Sequence, residues 1–141
     1  MANYDASVTN GSKRTTRLYS DLDLDFKRNV VTNDIVKLTD VEAVKRSVRN
    51  LINTSHYERP FHPEIGSDVR RMLFEPVTPL TAVNLQRKVA EVLQNFEPRA
   101  RIVQILARPN IDQNAYNLTI MFYVVGSNSP VTVEAFLERL R

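Results

Sequence analysis

QNFEPRARI, residues 94–102, is where this chain changes secondary structure, and its reading decides the fold. Upstream, Ala82, Leu85, Val89, Val92, Leu93 and Phe96 recur at helical spacing behind Thr78, a good N-cap, and Pro79, a good first-turn residue. The spacing predicts an amphipathic helix over 79–96. Pro98 cannot continue it and pushes Glu97 toward extended backbone. Downstream, RIVQILA and YNLTIMFYVV are β-rich runs joined by the turn-forming RPNIDQN, which predicts a hairpin over about 101–108 and 116–125. Leu118, Ile120, Phe122 and Val124 face one way, while Met121, Tyr123 and Val125 leave the other face apolar too. Such a face needs cover from the helices or from another chain.

Working toward the N-terminus, TDVEAVKRSVRNLINT carries Val41, Val44, Val48, Leu51 and Ile52 at helical spacing and predicts a second helix over 40–53. Thr39 and Glu42 have the spacing of a capping box. Before it, DLDLDF alternates strictly, which predicts a half-buried strand with Leu22, Leu24 and Phe26 inward and Asp21, Asp23 and Asp25 outward, followed by a second strand over 34–38. Between the helices, Pro60 and Pro63 hold SHYERPFHPEIG as a loop. Ser67 is the expected cap of a short helix carrying Val69, Met72 and Leu73 inward. The tail PVTVEAFLERLR fits strand and helix equally. The whole is an α+β chain: two long amphipathic helices packed on a small mixed or antiparallel sheet.

At 141 residues, 43% apolar and 25% charged, the chain fits one globular domain, expected over 18–141 behind a polar, flexible arm over 1–17. The net charge of +3 is evenly spread: residues 1–70 carry 11 Lys/Arg against 10 Asp/Glu, and residues 71–141 carry 8 against 6. Neither a nucleic-acid patch nor a membrane-surface patch stands out, although Lys13, Arg14 and Arg17 cluster in the arm. Without cysteine there is no disulfide or thiolate site. No secretory leader or membrane span is read, so the expectation is a soluble chain that stays where it is made.

The aspartates of DLDLDF lack the Gly and Glu of a calcium loop, with Phe26 and Thr32 at those places. His56 and His62, beside Glu58 and Glu64, match no metal-ligand spacing. Glycoside hydrolysis needs two positioned carboxylates; Glu58, Glu64, Glu75, Glu91 and Glu97 are all conceivable acids, but their spacing singles out no pair, and there is no tryptophan to stack on sugars. The expectation is therefore no enzyme, no cofactor, no metal and no small-molecule substrate.

Glu97 sits at a helix carboxyl end, where a second negative charge is unfavourable and a cation should stand nearby. In extended geometry Glu97 and Arg99 point the same way. Their pairing is either a weak surface ion pair or a rigid two-charge display, stiffened by Pro98, whose electrostatics a docking protein completes.

ERPFHPEIG with the following LFEP, the NFEPR turn and the DLDLDF strand, in this order, together resemble the small baseplate wedge proteins of contractile-tailed phages. These are also labelled gene-twenty-five-like lysozymes and are related to the TssE component of type VI secretion. The family commonly has Gly-Glu-Arg where this chain has Tyr57, Glu58 and Arg59. The resemblance implies a sheath-core-like α+β fold in a virion tail baseplate, assembled in the host cytoplasm. It implies a structural role linking larger wedge subunits, through their core bundle, to the tail sheath protein. Carried over, Glu97, Pro98 and Arg99 become the partner-docking site, with Glu58 and Arg59 as further candidates, and the hairpin and terminal segments become candidates for strand exchange with the sheath. On this basis, charge reversal at Arg99 should spare the fold and abolish assembly.

Overall fold

Alternation along the strand Ala115–Val124 organises the core: Tyr116, Leu118, Ile120, Phe122 and Val124 are all at most 3% exposed. The computed structural model describes residues 18–139, so the arm expected over 1–17 lies outside the described residues. In chain order the elements are β1 (Ser20–Leu22), β2 (Lys37–Thr39), α1 (Asp40–Asn53), α2 (Val69–Met72), α3 (Pro79–Phe96), β3 (Ala100–Asn110), β4 (Ala115–Val124) and β5 (Pro130–Glu138). The class is α+β, with a three-stranded antiparallel sheet ordered β3-β4-β5 and a separate ribbon of β1 and β2.

Thr78 caps α3 by accepting a hydrogen bond from the Thr81 backbone N–H at 3.1 Å, and Pro79 follows in the first turn. The buried stripe of α3 (Ala82, Leu85, Val89, Val92, Leu93) meets that of α1 (Val44, Val48, Leu51, Ile52) and the inner face of the sheet in one core. Full burial of each large apolar side chain is worth roughly 1.5–3 kcal/mol. Tyr116 is wholly buried, and its hydroxyl, within 3.3–3.4 Å of the Pro76 carbonyl and the Thr78 N–H, links the sheet to the start of α3.

A β-bulge explains an oddity of RIVQILA. The register passes from Ile102↔Phe122 to Gln104↔Met121, leaving Val103 unpaired. The extra residue resets the alternation, so Ile102 and Ile105, three apart, both pack against the core. The tail is a strand, because Val131, Val133 and Leu137 complete the inner face beside β4.

Four local expectations need correction. DLDLDF is not a half-buried strand: β1 stops at Leu22, Leu22, Leu24 and Phe26 are 55%, 45% and 70% exposed, and Asp23 is the buried member at 6%. The inward charge has a partner, since Asp23 and Asp25 both pair with Arg46 of α1, and the Asp23 carboxylate also accepts from the Asp25 N–H. The Thr39–Glu42 capping box does not form: Glu42 pairs with Lys45, and the Asp40 carboxylate accepts from the backbone N–H groups of Leu18 and Tyr19. Ser67 does not cap α2. Its buried hydroxyl donates to the Ile52 carbonyl at 2.7 Å, fastening the loop to the end of α1. The strand expected over 34–38 shifts to β2, with Ile35 bridging Arg28.

Candidate functional site

The end of α3 is closed from within. The Glu97 N–H donates to the Leu93 carbonyl, and the next residues turn directly into β3. The Glu97 side chain is 2% exposed. Arg99 reaches it with two parallel hydrogen bonds, Nε to Oε1 at 2.6 Å and Nη2 to Oε2 at 2.8 Å. Burial pushes the Glu97 carboxyl up, but the bonds and charge of Arg99, with a further polar contribution from Ser47 of α1, outweigh it and hold the carboxyl below its ordinary range. The same pairing raises the Arg99 pKa. The i, i+2 geometry expected of Glu97 and Arg99 is therefore present, but the unsatisfied two-charge display is not. The cation that the helix end requires is Arg99 itself, and no neighbour is needed to supply it.

Pro98, between them, is exposed, and Arg99 keeps 29% of its side chain accessible. Around this knuckle stand residues that the motif alone did not point to. The Tyr19 ring lies 5.6 Å from the Arg99 guanidinium carbon, a cation–π distance. The Arg99 carbonyl accepts from the Val125 N–H at 2.9 Å, tying the turn to the end of β4. Asp40 anchors the chain at Leu18 and Tyr19 and so holds Tyr19 in place. Asp40 and Ser47 lie on α1, far from Glu97 in sequence, so no local spacing rule could have found them.

The loop over 55–66 runs past the carboxyl end of α3, and His56, Glu64 and Gly66 share a groove with Asn95 and Phe96. Glu58 is exposed but turns back to accept from the Ser55 N–H at 2.7 Å. Arg59 is half-buried and has no ion-pair partner among the described residues. The backbone keeps the tight turn without glycine, because Tyr57 itself adopts a φ of 67°.

The remaining candidates do not converge. Among the described residues no three His, Cys, Asp or Glu side chains gather as a metal site. His62 pairs with Glu64 instead, and a backbone hydrogen bond together with the His62 ring holds the Glu64 carboxyl below its ordinary range. In the groove, Lys88 stands 3.0 Å from Glu91 and 3.9 Å from Asp68, which leaves these acids paired with a cation. A glycosidase acid needs the opposite, a carboxyl raised in an apolar cleft. The described helices include none long and apolar enough to cross a membrane.

Comparison with known proteins adds independent findings. Residues 39–129 match the family described as baseplate wedge protein gp25. Baseplate wedge protein gp25 of Enterobacteria phage T4 is 33% identical over 111 residues, covering 79% of this chain and 83% of that protein. The fold is similar to a putative tail lysozyme from Geobacter sulfurreducens, with a TM-score of 0.64, 20% identity and coverage of 70% of this chain and 89% of that one. It is also similar to a chain of the anti-feeding prophage baseplate, with a TM-score of 0.61, 17% identity and 87% of each chain covered. For a chain of the post-contraction pyocin R2 baseplate the TM-score is 0.55 at 22% identity, over 84% of this chain and 98% of that one. With 83% of its relative's length aligned and the family pattern running from the start of α1 to the turn after β4, this chain belongs to the baseplate wedge protein gp25 family.

Proposed function

We propose that this chain is a structural subunit of a contractile-tail baseplate wedge, without enzymatic activity, that docks on larger wedge subunits through the knuckle of Glu97, Pro98 and Arg99. The observation that carries this is the division of labour in the triplet. Glu97 is spent inside the fold, Arg99 is fixed by it, and Pro98 stands exposed on the resulting rigid corner. Pre-organised groups bind with little further ordering cost. The partner's contact is with Pro98 and the accessible edge of Arg99, and Arg59, on the loop that Glu58 shapes, adds a second contact beside it.

The same reading takes the fold as sheath-core-like and assigns the link to the tail sheath to the free strand edges. In the order β3-β4-β5, the outer edges of β3 and β5 lack a strand partner among the described residues, and each can accept a strand from the sheath protein. The site of action is the virion tail, assembled in the host cytoplasm, with no role for nucleic acid, membrane, cofactor or small-molecule substrate. The naming of the T4 relative as a baseplate wedge protein and the baseplate origin of two fold relatives support it.

The test is photo-cross-linking. A benzoylphenylalanine placed at Pro98 in assembled tails should cross-link to a larger baseplate subunit on irradiation. Tails that assemble normally and give no cross-link from this position would overturn the docking assignment.

A further inference from the structure

We propose that the outer face of the three-stranded sheet is a self-complementary docking surface for a second copy of this chain, paired about a two-fold axis along β4. It concerns the face of the sheet, not its edges or Pro98, and stands or falls apart from the docking reading above.

Alternation fixes which residues share this face. Tyr116, Leu118, Ile120, Phe122 and Val124 point into the core, so Asn117, Thr119, Met121 and Tyr123 point away from it. The register sets Arg108, Asn117 and Phe136 side by side in one row, Leu106, Thr119 and Glu134 in the next, and Gln104, Met121 and Thr132 in a third. Both long helices pack on the inner side. The outer side keeps Tyr123 39% and Phe136 50% exposed, with Leu106 and Met121 half-buried. Apolar surface that the fold leaves open in this way is surface for another chain.

Charge selects the occupant. The face carries two cations, Arg101 and Arg108, and two anions, Glu134 and Glu138, so it has polarity rather than a net charge. The cations lie on β3 and the anions on β5, with the uncharged outward side chains of β4 between them. Two strand spacings, about 10 Å, are too far for them to pair with each other. None of the four has an ion-pair partner among the described residues.

A two-fold axis parallel to β4 lays β3 of each copy over β5 of the other and keeps the rows level. Arg108 of one copy then stands over Phe136 of the other, with Glu134 and Glu138 on either side, and Met121 meets Met121 across the axis. A groove between Arg108 and Phe136, lined also by Leu106, Asn117, Thr119 and Glu134, is where the arginine enters. An arginine above an aromatic ring and between two carboxylates satisfies both its planar face and its charge. An axis across the strands would instead set β3 against β3 and β5 against β5, opposing like charges. Strands of 11, 10 and 9 residues make this a small face. It offers roughly 450 Å² per copy from strand spacing and rise, at the transient end of specific interfaces, so the pair is reversible and depends on the charge match.

Sedimentation velocity on the whole chain reads the pairing. The wild-type protein should pass from monomer to dimer as its concentration rises. Arg108→Glu and, separately, Glu134→Lys/Glu138→Lys should each keep the wild-type Tm and weaken self-association at least tenfold, by setting like charges opposite each other. An equimolar mixture of the two variants should recover a dimer, since each offers the charge that the other lacks. A wild-type chain that stays monomeric, its outer face left to another occupant, overturns the proposal. A dimer that Arg108→Glu leaves intact, or variants that stay apart when mixed, overturns it equally. Should a charge variant lower the Tm, cross-linking decides, because the chain has no cysteine of its own. Met121→Cys should be joined into a covalent dimer by a bismaleimide about 10 Å long, the spacing of stacked sheets. Leu80→Cys, exposed on α3 in the helical layer, should not. Equal cross-linking at the two positions, or none at Met121, overturns the proposal as well.

Discussion

Arg99 holds both carboxylate oxygens of Glu97 two residues away, so a helix that ends on an anion completes its own electrostatics. The pair lies at the junction of α1, α3 and β3, and its disruption is first a question of stability.

Arg99→Ala should destabilise the isolated protein by about 3 kcal/mol or more, because it strands a buried carboxylate. Arg99→Glu should be worse, which reverses the expectation that charge reversal spares the fold. Glu97→Gln, which keeps the shape and removes the charge, should cost less than either. Urea denaturation of the three variants gives the order directly.

Acid should act through the same carboxylate. The folded Glu97 pKa lies below its unfolded value of about 4.3. Its contribution is therefore fully present above that value and is lost as pH falls through the folded pKa. Below about pH 4 the wild-type protein should lose stability more steeply than Glu97→Gln, as read by thermal melts across pH 3–7. Parallel slopes would mean that Glu97 titrates normally in the fold.

Gly66→Ala should destabilise by about 2 kcal/mol or more, since the added methyl meets the backbone of Ser55 and His56 rather than a movable side chain. Calorimetry showing a change under about 0.5 kcal/mol would contradict the close approach.

The β1–β2 ribbon is held to α1 largely by polar contacts, with Arg46 joining Asp23 and Asp25. Arg46→Gln should therefore raise amide hydrogen exchange over residues 20–39 while leaving β3, β4 and β5 protected. Equal acceleration throughout would show that the ribbon and the sheet open together.

What was legible in the sequence follows the reach of the forces. Thr78, Pro79 and Pro98 act on their own neighbours, and α3 runs from Pro79 to Phe96 as their chemistry dictates. The pairing of β3 and β4 was equally local. DLDLDF departs from its alternation because β1 ends at Leu22 and the chain then turns, which buries Asp23 alone beside Arg46, a distant residue of α1 that no local pattern announces. The tail became a strand only because β4 offered it an edge. The bulge could have been found, since Ile102 and Ile105 cannot share a face of a regular strand. At the site, the proximity of Glu97 and Arg99 was legible from the two-residue period. The burial of Glu97 was not, because it depends on tertiary neighbours such as Ser47 and on the sheet beside it.

The most direct measurement of the central claim is a side-chain-resolution map of an assembled tail containing this protein. The account predicts that Glu97 remains clasped by Arg99 inside the subunit while Pro98 and the outer edge of Arg99 press against a larger wedge protein. Solvent around Pro98 and Arg99 in that map, or an Arg99 drawn away from Glu97 to pair with another chain, would contradict it.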